Sequence, residues 1–118
     1  MTNPSGLPYT PAVRAGAWVV VSGQIGMVDG SLVPGGFDAE LRRTLANLEA
    51  RLAEHGATMA DVVKTTVFLR HLNDYNRMNE LYGEAFAEPR PARSAVAVSE
   101  LPLGAMVEIE AWAHTGAG

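Results

Sequence analysis

The sequence predicts an α+β domain in which a mixed sheet carries both of its helices on one face. Three observations support this. Strand-like and helix-like segments follow one another in the order β-β-α-β-α-β-β. Only two segments have helical spacing, and each lies between strands. The chain has 118 residues, 47% hydrophobic and 19% charged, which suits one soluble globular domain, and it holds no internal repeat or low-complexity tract. With the helices on one side, the other sheet face has no cover. Val, Ile and Trp on that face need a partner, and a subunit interface is the usual solution.

The elements follow in order. "PSGLPYTPA" reads as irregular. "AWVVVSGQIGMV", residues 17–28, is rich in Val, Ile and Trp and reads as a strand. Asp29–Gly30 is a two-residue hairpin signal, because a type I′ turn needs positive φ at both central positions. "SLV" is the short return strand, ended by "PGG". Leu41, Leu45, Leu48 and Leu52 then recur on one helical face, with Asp38 and Glu40 in the first turn and Gly56 placed to end the helix. Residues 62–69 are β-branched and unbroken, a strand. Met78, Leu81, Tyr82, Ala85 and Phe86 form the stripe of a second helix capped by Asn73 or Asp74. "RSAVAV" and "AMVEIEAWAH" are two further strands.

Composition narrows the function classes. The net charge is −4, and one lysine and eight arginines are scattered along the chain, so no basic patch for nucleic acid forms. Cysteine is absent, which removes disulfides, thiolate nucleophiles and thiolate metal sites together. The N-terminal stretch has neither a basic n-region nor an apolar h-region, and "AGAWVVV" is far short of a membrane span. The expectation is a soluble, cytoplasmic protein without a membrane or nucleic-acid partner.

The chemistry-bearing residues are few. In "EPRPARSAVAV", Arg93 stands at the mouth of a strand between small residues, and Pro91 stiffens the approach. It is either a solvated edge residue or a rigid fork beside free space, suited to bidentate binding of a carboxylate. In "VEIEAWA", alternation puts Glu108, Glu110, Trp112 and His114 on one face. That face is either the wet side of an edge strand or a place where one glutamate serves as a general base near Arg93. The glycines of "VSGQIG" mark a bulge, or a backbone lining a small-ligand pocket with Ser22 and the Gly23 amide as donors. His55, His71 and His114 lack metal-ligand spacing, and no serine has a nucleophile-elbow context. His55 suits a place at a helix end. Tyr75 and Tyr82 read as helix core, and Asn79 as an exposed polar residue.

These segments together resemble the RidA/YjgF family of small trimeric proteins. The resemblance is carried by "SGQIG" (22–26), "DVVKTTVFL" (61–69), "YNRMNELYGEAF" (75–86), "PARSAVAV" (91–98), "LP" (101–102) and "VEIEA" (107–111), in the family's order and spacing over nearly the whole chain. It implies a chorismate-mutase-like α+β fold with a mixed six-stranded sheet and two helices on one face. It further implies a homotrimer with a central barrel and ligand clefts between subunits. The implied activity is hydrolysis of reactive 2-imino and enamine acids to 2-oxo acids and ammonia, with no metal or organic cofactor. Carried over by motif, the carboxylate-binding arginine falls on Arg93 and the family's glutamate on Glu108. Tyr9, Ser22, Gly23, Asn79 and Ala95 fall on substrate-binding positions. Ala95 departs from the deaminase branch, which usually has Cys there, and the loop before "PARS" looks short. Two other readings stay open: a non-catalytic small-carboxylate binding module or regulator, favoured by Ala95, and the endoribonuclease or translation-inhibitor role ascribed to some relatives, disfavoured by the charge.

Overall fold

The structure, a computed structural model, describes residues 6–116. Residues 1–5, on which part of the reading of the N-terminus rests, lie outside the described residues, as do Ala117 and Gly118. The strands are β1 (Ala12–Ala15), β2 (Trp18–Gln24), β3 (Met27–Val28), β4 (Ser31–Leu32), β5 (Val62–Leu69), β6 (Ala92–Ala97) and β7 (Val107–His114), and the helices are α1 (Phe37–Ala53) and α2 (Tyr75–Ala85). The main sheet is mixed, in the order β1-β2-β7-β5-β6, with only the β5–β6 pair parallel.

Two expectations are corrected. The main sheet has five strands, not six, because β3 and β4 pair only with each other. The strand foreseen over residues 17–28 stops at Gln24, where Ile25 and Gly26 turn the chain away. A Cβ on Gly26 would sit 2.6 Å from the Glu40 carbonyl oxygen, so the chain passes α1 too closely for any larger residue. The Asp29–Gly30 turn forms as the sequence predicts, with φ of 52° and 84°. The described part of the stretch read as irregular has no strand or helix before Ala12, and the strand Ala12–Ala15, which the sequence reading does not include, pairs along β2 through a turn at Gly16, where φ is 62°.

Both helices cover one sheet face. Leu41, Leu45, Leu48 and Leu52 of α1 and Met78, Leu81, Tyr82 and Phe86 beside them pack with Val19, Val21, Val67, Val107, Ile109, Ala111 and Ala113. Truncating a leucine in such a core to alanine costs about 2–5 kcal/mol. Gly56 has φ of +75° just past α1, and the Ala57 amide returns to the Leu52 carbonyl at 3.0 Å. Asp74 holds the N-cap position of α2, but its side chain makes no capping bond. The opposite sheet face leaves Val13, Trp18, Val96 and Trp112 exposed, with Trp18 and Trp112 in edge contact at 6.1 Å.

Candidate functional site

The register decides which face each candidate takes. Facing residues of paired strands share a side of the sheet. Arg93 pairs with Thr65, which is fully buried under the helices, so Arg93 belongs to the helix side of edge strand β6. Glu108 pairs with Phe68 and Glu110 with Thr66, and both glutamates alternate with the buried Val107 and Ile109, so they belong to the open side. Within one chain, Arg93 and Glu108 are therefore on opposite faces.

The candidates divide accordingly. Tyr9, Ser22, Gly23 and Glu108 line one cleft of about 920 Å³, together with Leu7, Ile25, Met27 and Leu103. Arg93 and Asn79 line a second hollow of about 400 Å³. Ala95 lies in a third with Asn73 and Tyr75.

The first cleft owes its shape to a bulge. Between Val21 and Gln24, β2 spends one residue more than β7 does, so Ser22 and Gly23 both oppose Glu110. Gly23 then lies against Glu108: a Cβ there would fall 1.9 Å from Glu108 Oε2. Only glycine leaves the carboxylate its present place. Burial, and secondarily the like charge of Glu110, hold the Glu108 carboxyl above the usual carboxylate range. No cation among the described residues pairs with it. Ser22 does not offer the donors expected of it. Its hydroxyl donates to the Thr10 carbonyl at 2.7 Å and its amide to the Pro11 carbonyl at 2.9 Å. It therefore anchors the segment that carries Tyr9.

In the second hollow, Arg93 is held without being neutralised. One guanidinium nitrogen donates to the Tyr75 hydroxyl at 3.2 Å, and another approaches Met78 Sδ at 3.5 Å. The guanidinium carbon stands 5.0 Å from the Tyr82 ring centroid and 5.6 Å from that of Tyr75. The described residues provide it no carboxylate. Tyr82 is buried and shares a 2.6 Å hydrogen bond with the Thr65 hydroxyl, so it forms a fixed floor. Tyr75 was expected in the core, but it is partly exposed and touches the candidate cation. It and Arg90, which lines the same hollow, are the residues that sequence reasoning missed. Spacing was the available signal for Tyr75, which lies three and seven positions before Met78 and Tyr82 on the face turned toward β6.

Among the described residues no cluster of His, Asp and Glu has a geometry to hold a metal ion. None of the described helices is long and apolar enough to cross a membrane.

A small α+β domain with an unpaired arginine on one face and an uncompensated glutamate on the other is the class of protein that the fold and site define. The sequence model of the Endoribonuclease L-PSP family matches residues 2–115. The chain is 44% identical over 109 residues to a RutC family protein of Pyrococcus abyssi, covering 91% of this chain and 86% of that one. It is 43% identical over 111 residues to the human 2-iminobutanoate/2-iminopropanoate deaminase, covering 92% and 81%. The crystal structure of RidA from an Antarctic Psychrobacter superposes with a TM-score of 0.88 at 37% identity, over 92% of this chain and 89% of that one. Yeast Mmf1 superposes with a TM-score of 0.89 at 33% identity, over 94% and 90%. The chain belongs to the RidA/YjgF family, named Endoribonuclease L-PSP in the family model.

Proposed function

We propose that the protein hydrolyses reactive 2-imino acids and their enamine tautomers to 2-oxo acids and ammonia, as a 2-iminobutanoate/2-iminopropanoate deaminase-type hydrolase. The observation that carries this reading is that Arg93 has no carboxylate partner and Glu108 no cation among the described residues, both within the motifs that resemble the family's. Because the two lie on opposite faces of one chain, the reading needs a second copy to bring them together. A homotrimer with clefts between subunits would do so, and the exposed Trp18, Val96 and Trp112 are the surface it would cover.

The chemistry follows from the groups. The substrate carboxylate lies on the Arg93 fork through two parallel N–H···O bonds, and Asn79 and the backbone at Ala95 fix its orientation. Glu108 of a second copy accepts a proton from water as the water oxygen adds to the imine carbon. Glu108 returns that proton to the nitrogen, then carries the proton of the aminol hydroxyl to the same nitrogen, so that the carbon–nitrogen bond breaks, ammonia leaves and the carbon–oxygen double bond forms. Electrons stay paired throughout, so hydrolysis asks for no redox partner. Holding acid, water and imine in one place replaces a bimolecular encounter with a positioned one. Gly23 and Tyr9 shape the wall beside Glu108.

A second reading, a small-carboxylate binding module without turnover, is favoured by Ala95 in place of the usual Cys. A coupled assay separates the two. A pyridoxal-phosphate enzyme makes 2-aminoacrylate or its four-carbon analogue in situ, and oxo-acid release is followed with wild type and Arg93→Ala. Acceleration by wild type that disappears in the variant supports the deaminase. Carboxylate binding that needs Arg93, without acceleration, supports the binding module. RNA cleavage that co-purifies with the protein and disappears in Arg93→Ala would instead support the endoribonuclease reading, which the net charge of −4 disfavours.

A further inference from the structure

Arg93 shares its hollow with a second cation. Arg90 lines the same cavity of about 400 Å³, with Asn79, Tyr82, Gly83 and Pro91 completing the wall. Among the described residues no acidic side chain lines it. Arg90 is tied to the end of α2: its Nε donates to the Phe86 carbonyl at 3.0 Å and its Nη2 to the Gly83 carbonyl at 3.2 Å. Its Nη1 donates to the Glu88 carboxylate, which is 77% exposed. An arginine has five N–H groups, so these three bonds fix the plane of the guanidinium and leave two donors over. Its nearest nitrogen would stand 3.6 Å from a Cβ at Gly83, so the head group passes directly over the helix backbone. The Arg93 guanidinium stands 5.0 Å from the Tyr82 ring centroid, and Tyr82 lines the hollow together with both arginines.

We propose that Arg90 and Arg93 form a two-guanidinium subsite that selects 2-imino dicarboxylic acids of four or five carbons, Arg93 taking the carboxylate next to the imine and Arg90 the distal one. This rests on the deaminase reading of the same hollow. Arg93 has no carboxylate partner and Arg90 has only the exposed Glu88, so a dianion can meet both cations of the cavity where a monocarboxylate meets one. Glu88 is the built-in competitor: its carboxylate already compensates the charge of the guanidinium whose two remaining donors the distal carboxylate would take. A side chain that large and exposed moves aside at little cost.

The test compares two substrate classes. A flavin-dependent L-amino-acid oxidase generates the imines of aspartate or glutamate, and of alanine or 2-aminobutyrate, and oxo-acid release is followed. The readout is the ratio of kcat/KM for dicarboxylic over monocarboxylic imines. Wild type is expected to favour the dicarboxylic class by about tenfold, the worth of one further charge-assisted bond pair. Arg90→Gln is expected to lower the ratio about tenfold, Arg90→Lys to keep part of it, and Glu88→Gln to raise it. A ratio that Arg90→Gln leaves unchanged, with both substrates slowed alike, would mean that Arg90 only caps α2, and would overturn the proposal. If wild type accelerates neither class, the deaminase reading fails and the subsite is measured by calorimetry with 2-oxoglutarate against 2-oxobutanoate. Tighter dicarboxylate binding that Arg90→Gln abolishes upholds the subsite; equal affinities overturn it.

Discussion

Gly23→Ala separates the site from the fold. The new methyl would meet Glu108 Oε2 at 1.9 Å, Cδ at 2.7 Å and Cγ at 3.0 Å. All three atoms belong to a flexible side chain, so the carboxylate, not the sheet, gives way. From 1.9 Å to ordinary contact at 3.4 Å, it retreats by about 1.5 Å. Forcing Glu108 off its rotamer costs about 1 kcal/mol, which lowers Tm by about 4 °C in a domain this size. A misplacement of about 1 Å in a catalytic group costs about a hundredfold in rate. The expected result is a folded protein with kcat/KM down about a hundredfold in the coupled assay and a small shift in thermal unfolding. Activity within threefold of wild type would refute the placement of Glu108 in the chemistry. A collapse of the fold would refute the argument that the side chain absorbs the contact.

Other outcomes follow from the same geometry. Gly26→Ala places its methyl 2.6 Å from the Glu40 carbonyl and 2.8 Å from its Cα, which are helix backbone and cannot turn aside; overpacking there is expected to cost about 3 kcal/mol and show as a large drop in Tm. Arg93→Lys loses the fork but keeps the charge, and kcat/KM is expected to fall tenfold to a hundredfold, from the about 1.5–3 kcal/mol of a hydrogen bond to a charged group. With Glu108 as the proposed general base, kcat/KM is expected to rise with pH along a limb set above the usual carboxylate range by burial first and Glu110 second, and Glu110→Gln is expected to move that limb to lower pH in a pH–rate profile. The raised pKa also means that Glu108's contribution to stability is full below the unfolded-state value and is lost as pH rises through the folded one. Glu108→Gln is accordingly expected to unfold at a higher temperature than wild type at neutral pH, with the gap closing in acid. Trp112→Glu puts a charge on the exposed sheet face, and sedimentation is expected to show separated subunits with loss of activity.

Much of this was readable from side-chain periodicity. Leu41, Leu45, Leu48 and Leu52 announced α1, and alternation in "VEIEAWA" sorted Glu108 and Glu110 from Ile109 and Ala111 as the burial does. The bare sheet face was inferred from helix count alone, and Trp18 and Trp112 now stand on it. β1 was hidden because "AVRA" is short and three of its four residues are exposed, so it has little apolar pattern to detect. The break after Gln24 was hidden because the limit comes from the α1 backbone at Glu40, a neighbour with no local trace in the sequence. The glycines of "VSGQIG" did signal a close approach, but not to what. The donors that the sequence leaves free on Ser22 are taken up by the Thr10 and Pro11 carbonyls, a pairing set by the path of the N-terminal segment. Arg90 has no mark in the sequence, because its partners are the Gly83 and Phe86 carbonyls at the end of α2.

The central claim is that the working site takes Arg93 from one copy and Glu108 from another. Mixing two inactive variants tests it most directly. Arg93→Ala and Glu108→Gln are refolded together in equal amounts and mixed assembly is verified by mass. Each cleft then receives an intact arginine and an intact glutamate by chance, and the account predicts recovery of about a quarter of wild-type activity. Mixed assemblies that stay as inactive as either variant alone would place both residues' roles within a single chain, and would contradict it.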